Sequence, residues 1–141
     1  MGLDTSHDCW HGPYSQFMRW RERLHVIIMR DRRDGMGPVA FDAQPWSCAQ
    51  CHTYEECARS NDDKLWPYVS ETDPLDVLMS HSDCDGEISA SLCGPMADAL
   101  QDLVNRKMPA RGVYDDIRPA TERFIAGLRR AAAANEPVVF S

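Results

Sequence analysis

The chain has 141 residues, of which 43% are hydrophobic and 26% charged, enough to build one ordinary core without covalent staples. With 22 acidic against 15 basic residues the net charge is -7, which argues against a groove that tracks nucleic-acid phosphates. The longest apolar run, "VIIM", is far too short to span a bilayer. The opening residues also lack the charged-then-apolar layout of an export signal, so a cytoplasmic protein off the membrane is expected.

Taken in order, the chain opens with "LDTSHDCWHG". If residues 4–11 are extended, side-chain alternation places His7, Cys9 and His11 on one side, a feasible metal half-site. The competing reading buries Cys9 and Trp10 and has His7 or His11 capping the helix that begins at Pro13. That helix is read from "GPYSQFMRWRERLHVIIMRD", with Pro13 in the first turn and Tyr14, Phe17, Met18, Leu24, Ile27 and Ile28 on its apolar stripe. Residues 31–47 read as a loop, because "RDRRDGMGP" is charged, rich in Gly and without periodicity. Its basic residues suit a solvated helix end, where cations oppose the dipole. "SCAQCHTYEECARSNDDKLW" reads as a turn and a short helix ending near Asn61.

"TDPLDVLMSH" predicts a short helix capped by Thr72 or Asp73, with Pro74 first. A loop from Ser82 to Glu87 follows. The next helix carries Leu92, Met96, Leu100, Leu103 and Val104 on one face, with Gly94-Pro95 kinking or delaying its start. "PARG" breaks it. The last helix runs from Asp116 to about Ala134, with Ile117, Ala120, Phe124, Leu128 and Ala131 buried, and "PVVFS" is suited to a strand against the N-terminal residues. The expected fold is mainly α: one domain over residues 1–141, an irregular bundle of about four helices with an N-terminal extended segment and a loop-rich excursion over 31–70.

The chemistry-bearing residues cluster. "HSDCDGEI" resembles the middle of a calcium loop, with Asp83 and Asp85 two apart, Gly86 for the sharp turn and Ile88 beyond. The register then puts His81 and Leu92 where carboxylates belong, so a true EF-hand is disfavoured. A helix-to-helix turn with Asp side chains bonding nearby N–H groups and Gly86 at positive φ accounts for the loop as well. Joining this cluster to the opening one gives a candidate metal set of His7, Cys9, His11, His81, Asp83 and Asp85, for which a divalent ion, zinc first, is the expected cofactor. "CAQCH" offers Cys48, Cys51 and His52 as a second zinc clip, with Cys57 as a third thiolate; reduced, partly exposed thiols and, third, a disulfide are the alternatives. Haem attachment and thioredoxin-like chemistry lack their surrounding context, and no nucleophile elbow, phosphate loop or dinucleotide fingerprint occurs.

"LDTSHDCWHG" leading into "YSQFMRWRERL", followed later by "HSDCDGEI", resembles a family of small proteins from actinobacteria and their phages. The resemblance lends no catalytic residue. It implies a phage or phage-host setting, in which small acidic proteins act by binding a host component. Three readings follow: a metal-stabilised protein that binds a protein partner; a hydrolase using an open metal with Asp83, Asp85 or Glu87 as base; or a metal-free helical interaction protein.

Overall fold

The computed structural model describes residues 2–36, 73–81, 85–108 and 117–141. Its described elements are β1 (Gly2–Asp4), a single 3₁₀ turn (Ser6–Asp8), β2 (His11–Pro13), α1 (Tyr14–Met36), α2 (Pro74–Ser80), β3 (Glu87–Ile88), α3 (Ala90–Lys107), α4 (Arg118–Ala134) and β4 (Val138–Val139). The protein is mainly helical, as the periodicities require. The turn and the short helix expected to end near Asn61, and the cysteines of the second clip, lie outside the described residues.

α1 starts one residue after Pro13, which closes β2 instead of entering the first turn. The helix also continues through 31–36, where a loop is expected from the charged run. Asp31, the first of these residues, lies against Arg106 of α3 at 2.6 and 3.0 Å, a tertiary contact that fastens α1 at that point. Phe17, Leu24, Ile27 and Ile28 are buried as expected, and Trp20 and His25 join them.

α2 is short and well capped. Asp73 accepts hydrogen bonds from the Leu75 and Asp76 N–H groups at 3.0 and 3.4 Å, and Pro74 occupies the first position, where no N–H is needed. At its other end Arg21 of α1 donates to the carbonyls of Leu78, Met79 and His81, placing a cation on the negative end of the helix dipole. The same guanidinium lies 4.8 Å from the Phe17 ring centroid.

α3 and α4 run antiparallel: Gly94 approaches Ala132 while Asp98 pairs with Arg129 at 3.0 Å. α3 begins at Ala90, five residues before Pro95, so the proline lies inside the helix rather than setting its start. Its missing N–H leaves the carbonyl of Ser91 without that helical partner, at an exposed residue. Cys93, Met96, Ala97, Leu100, Leu103 and Val104 form the buried stripe. α4 ends on Asn135 in the left-handed region, with Glu136 N–H bonding Ala131 O and Asn135 N–H bonding Ala132 O, a Schellman stop.

The core is aromatic where α1 meets α4. Trp20 and Phe124 rings lie 4.8 Å apart, and Trp10 and Phe17 5.1 Å apart edge-on. The Trp20 indole N–H donates to Thr121 Oγ1 at 2.8 Å, and that hydroxyl donates in turn to Ile117 O at 2.8 Å. Both side chains are buried, so each polar atom has its partner inside the core. Replacing Thr121 with Val keeps the shape and orphans the indole N–H. A loss of about 1–3 kcal/mol is expected in denaturant unfolding, with Trp20→Phe on top of Thr121→Val recovering part of it. Additive losses in that double-mutant cycle would contradict the coupling.

Candidate functional site

Four short extended segments lie side by side in the order β2, β1, β4, β3. β1 pairs with β2 antiparallel, with Leu3 opposite Gly12 and Asp4 opposite His11. β3 pairs with β4, with Glu87 opposite Val139 and Ile88 opposite Val138. A bridge between Thr5 and Phe140 joins the two pairs, flanked by Asp4 and Ser141 exchanging main-chain bonds of 3.1 and 2.9 Å. The residues of "PVVFS" therefore form a strand against the N-terminal segment and against the Gly86–Ile88 stretch at once. The two motifs, some 75 positions apart, meet on opposite edges of it.

Strand alternation sorts the side chains. Leu3, Ile88, Val138 and Phe140 are buried, whereas Asp4, His11, Asp85, Glu87, Val139 and Ser141 are exposed. Gly86 holds φ +86°, a left-handed value that glycine adopts without strain, and its carbonyl accepts the Phe140 N–H at 2.9 Å. His81 lies with its ring centroid 4.3 Å from that of Phe140 and its Nε2 3.1 Å from Glu87 O.

The opening triple does not share a face. Residues 4–11 are not one strand, because the 3₁₀ turn at Ser6–Asp8 interrupts them with φ 58° at His7 and 59° at Asp8. His7 is turned toward Glu136, with Nε2 3.6 Å from Oε2. His11 pairs with Asp4 across the β1–β2 hairpin. Cys9 is fully buried and points into the core with Trp10, as the competing reading has it. Neither histidine caps α1. His81 sits across β4 from these residues and Asp85 is exposed beyond Gly86, while Asp83 lies outside the described residues. Among the described residues no three His, Cys, Asp or Glu side chains converge closely enough to hold an ion. Cys48, Cys51, His52 and Cys57 also lie outside the described residues.

The residues that sequence reasoning missed are those that hold the turn. Arg130 of α4 donates to His7 O from Nε at 3.1 Å and from Nη2 at 2.7 Å, and to Asp8 O at 3.5 Å. Ser6 Oγ accepts the Val139 N–H at 2.8 Å and donates to Pro137 O at 3.4 Å. Gly127 lies directly under Cys9: a Cβ there would stand 2.4 Å from Cys9 Sγ and 2.7 Å from its Cα. An exposed Arg and a helical Gly carry no local signal of such roles.

Burial pushes the Cys9 thiol from 9.0 up to about 12, against the opposing effect of a hydrogen bond with Thr5. The Cys93 thiol is also raised by burial, opposed by the Val138 N–H, and it donates to Ser89 O at 3.3 Å. Both are neutral core thiols at neutral pH, not nucleophiles. No helix among the described residues is long and apolar enough to cross a membrane. Comparison with protein families, curated proteins and solved structures finds no match to this chain.

Two outcomes are expected. Gly127→Ala forces the opening turn off α4 or shifts the helix, costing 2 kcal/mol or more (about the level of an overpacked core) in chemical unfolding; a change within about 0.5 kcal/mol would refute the close approach. Because the Cys9 pKa is higher in the folded state, its contribution to stability is complete below pH 9.0 and is lost as pH rises toward about 12. The stability of the wild type relative to Cys9→Ala should therefore be flat up to pH 8 or so (roughly) and fall above it. A difference independent of pH across that window would count against a buried thiol.

Proposed function

We propose that this is a small helical binding protein that engages a protein partner, in the phage or phage-host setting its motifs resemble, through the outer face of the four extended segments. The observation that supports this reading is the joining of both motif-bearing segments by β4, which sets Asp4, His11, Asp85, Glu87 and Val139 outward together. Val139, at 43% exposure, is the one large hydrophobic side chain exposed among the described residues. Val139 has Glu87 opposite it, with Asp4 and Asp85 also exposed on these segments, and on a chain of net charge -7 this suits a partner that offers Lys or Arg beside an apolar contact.

A divalent ion, zinc first, enters this reading in a changed form. His7 and Cys9 are committed to Glu136 and to the core, so the opening segment offers the outer face only His11 and Asp4. The stronger zinc candidate is the clip of Cys48, Cys51, His52 and Cys57, on the spacing of its thiolates.

Two measurements test the two parts. Selection of a random-peptide display library on the immobilised chain should enrich Lys- and Arg-containing peptides that no longer bind the Asp4→Lys, Glu87→Lys double variant. Peptides that bind both forms equally would place the working surface elsewhere. Elemental analysis should return about one equivalent of zinc, lost in Cys48→Ser with Cys51→Ser and retained in His11→Ala. Less than about a tenth of an equivalent would remove the metal from the reading.

A further inference from the structure

The turn Ser6–Cys9 is where unfavourable features accumulate. His7 and Asp8 hold φ 58° and 59° in succession, a left-handed conformation that costs any residue with a Cβ. Next to them, Trp10 Nε1 is buried with no hydrogen-bond partner among the described residues. Cys9 is pressed onto the Cα of Gly127 with no room for a larger residue beneath it. Strain and an unmet polar group thus fall within five consecutive residues, while the helices around them are regular.

Apart from the buried Cys9 side chain, the contacts that hold this turn down are of the weaker kind. Arg130 and Glu136 are exposed, and the pairing of His7 with Glu136 spans 3.6 Å. The bonds to β4 run through a single hydroxyl, Ser6 Oγ. By contrast, the base of the turn is closed from within: Thr5 N–H donates to Trp10 O at 3.0 Å, and Trp10 N–H donates to Thr5 Oγ1 at 2.8 Å. A loop that is closed at its base, strained at its tip and fastened by exposed contacts has the makings of a local opening unit.

We propose that the Ser6–Cys9 turn is a strap that lifts from α4 about the Thr5–Trp10 pair, baring the Cys9 thiol while the helices stay folded. Lifting releases both left-handed residues, breaks the Arg130 and Ser6 contacts and admits water beside the Trp10 indole. Cys93, in the first turns of α3 and also fully buried, is covered by different contacts: its Sγ lies 3.3 Å from Ser89 O and 3.8 Å from Ile88 O, outside the turn. The chain therefore carries a gated thiol at the centre of its opening motif.

Alkylation of the full chain by N-ethylmaleimide under native conditions, at one fixed pH and resolved by mass spectrometry, tests this. The peptide carrying Cys9 should label faster than the peptide carrying Cys93, and its rate should be nearly independent of low denaturant. Arg130→Met should speed Cys9 labelling by roughly ten-fold without changing Cys93. Asp8→Gly, which removes the left-handed cost from an exposed side chain, should slow it by roughly two- to five-fold. Cys9 and Cys93 labelling together, with the same denaturant dependence and the same response to both variants, would overturn the strap. Chemical unfolding of each variant is measured alongside, so a variant that simply destabilises the fold is recognised by its lower stability and by faster labelling of both peptides.

Discussion

Phe140 is the residue on which the arrangement depends. Its ring is buried, 5.8 Å from Phe17 edge-on and 4.3 Å from His81. Its main chain bridges Thr5 on one side and bonds Gly86 on the other. One aromatic side chain near the end of the sequence thus couples α1, the residues after α2 and the opening segment. Without it, β1–β2 and β3 would each be a two-residue or three-residue strand pair with no independent stability. The burial of Phe140 together with Leu3, Ile88 and Val138 holds these short segments against the helices.

The same residue explains why the two motifs lie together without forming one cluster of ligands. β4 stands between them as a spacer, so His11 and Asp4 are separated from Asp85 and His81 by a full strand. Inward-facing positions of all these strands go to Leu3, Ile88, Val138 and Phe140, which belong to the core. Only alternate positions remain for polar groups, and Cys9 lies beyond the strand altogether, in the turn that packs on Gly127.

The helical framework was legible in the sequence because each helix carries its signal locally. Asp73-Pro74 is a cap and a first position within two residues, and Phe124, Leu128 and Ala131 recur at helical spacing. What was missed depended on residues far apart. Thr121 and Trp20 are polar or bulky positions whose place in the core is settled by a hydrogen bond spanning 101 positions. α1 continues through 31–36 with Asp31 meeting Arg106, a contact that no window around "RDRRDG" contains. The alternation argument for His7, Cys9 and His11 failed because it assumed one strand, and two left-handed residues break it. His and Asp tolerate that conformation better than most residues, so the composition that suggested a ligand triple also permits the turn.

This gives the recurring His, Asp, Cys and Gly pattern a structural reading that needs no shared ion. In the first segment, His7 and Asp8 take the left-handed positions, Cys9 fills the tight space over Gly127, and Gly12 holds φ +151° beside Trp10. In the second, Gly86 takes the positive φ that turns the chain into β3. The first motif's turn folds β2 back onto β1, whose end at Asp4–Thr5 meets Phe140–Ser141, and the second motif leads through Gly86 into β3 on the other side of β4. The two glycines are placed differently: Gly86 immediately precedes β3, whereas Gly12 lies inside β2, opposite Leu3 and just before α1, and what they share is a positive φ that a side chain would strain.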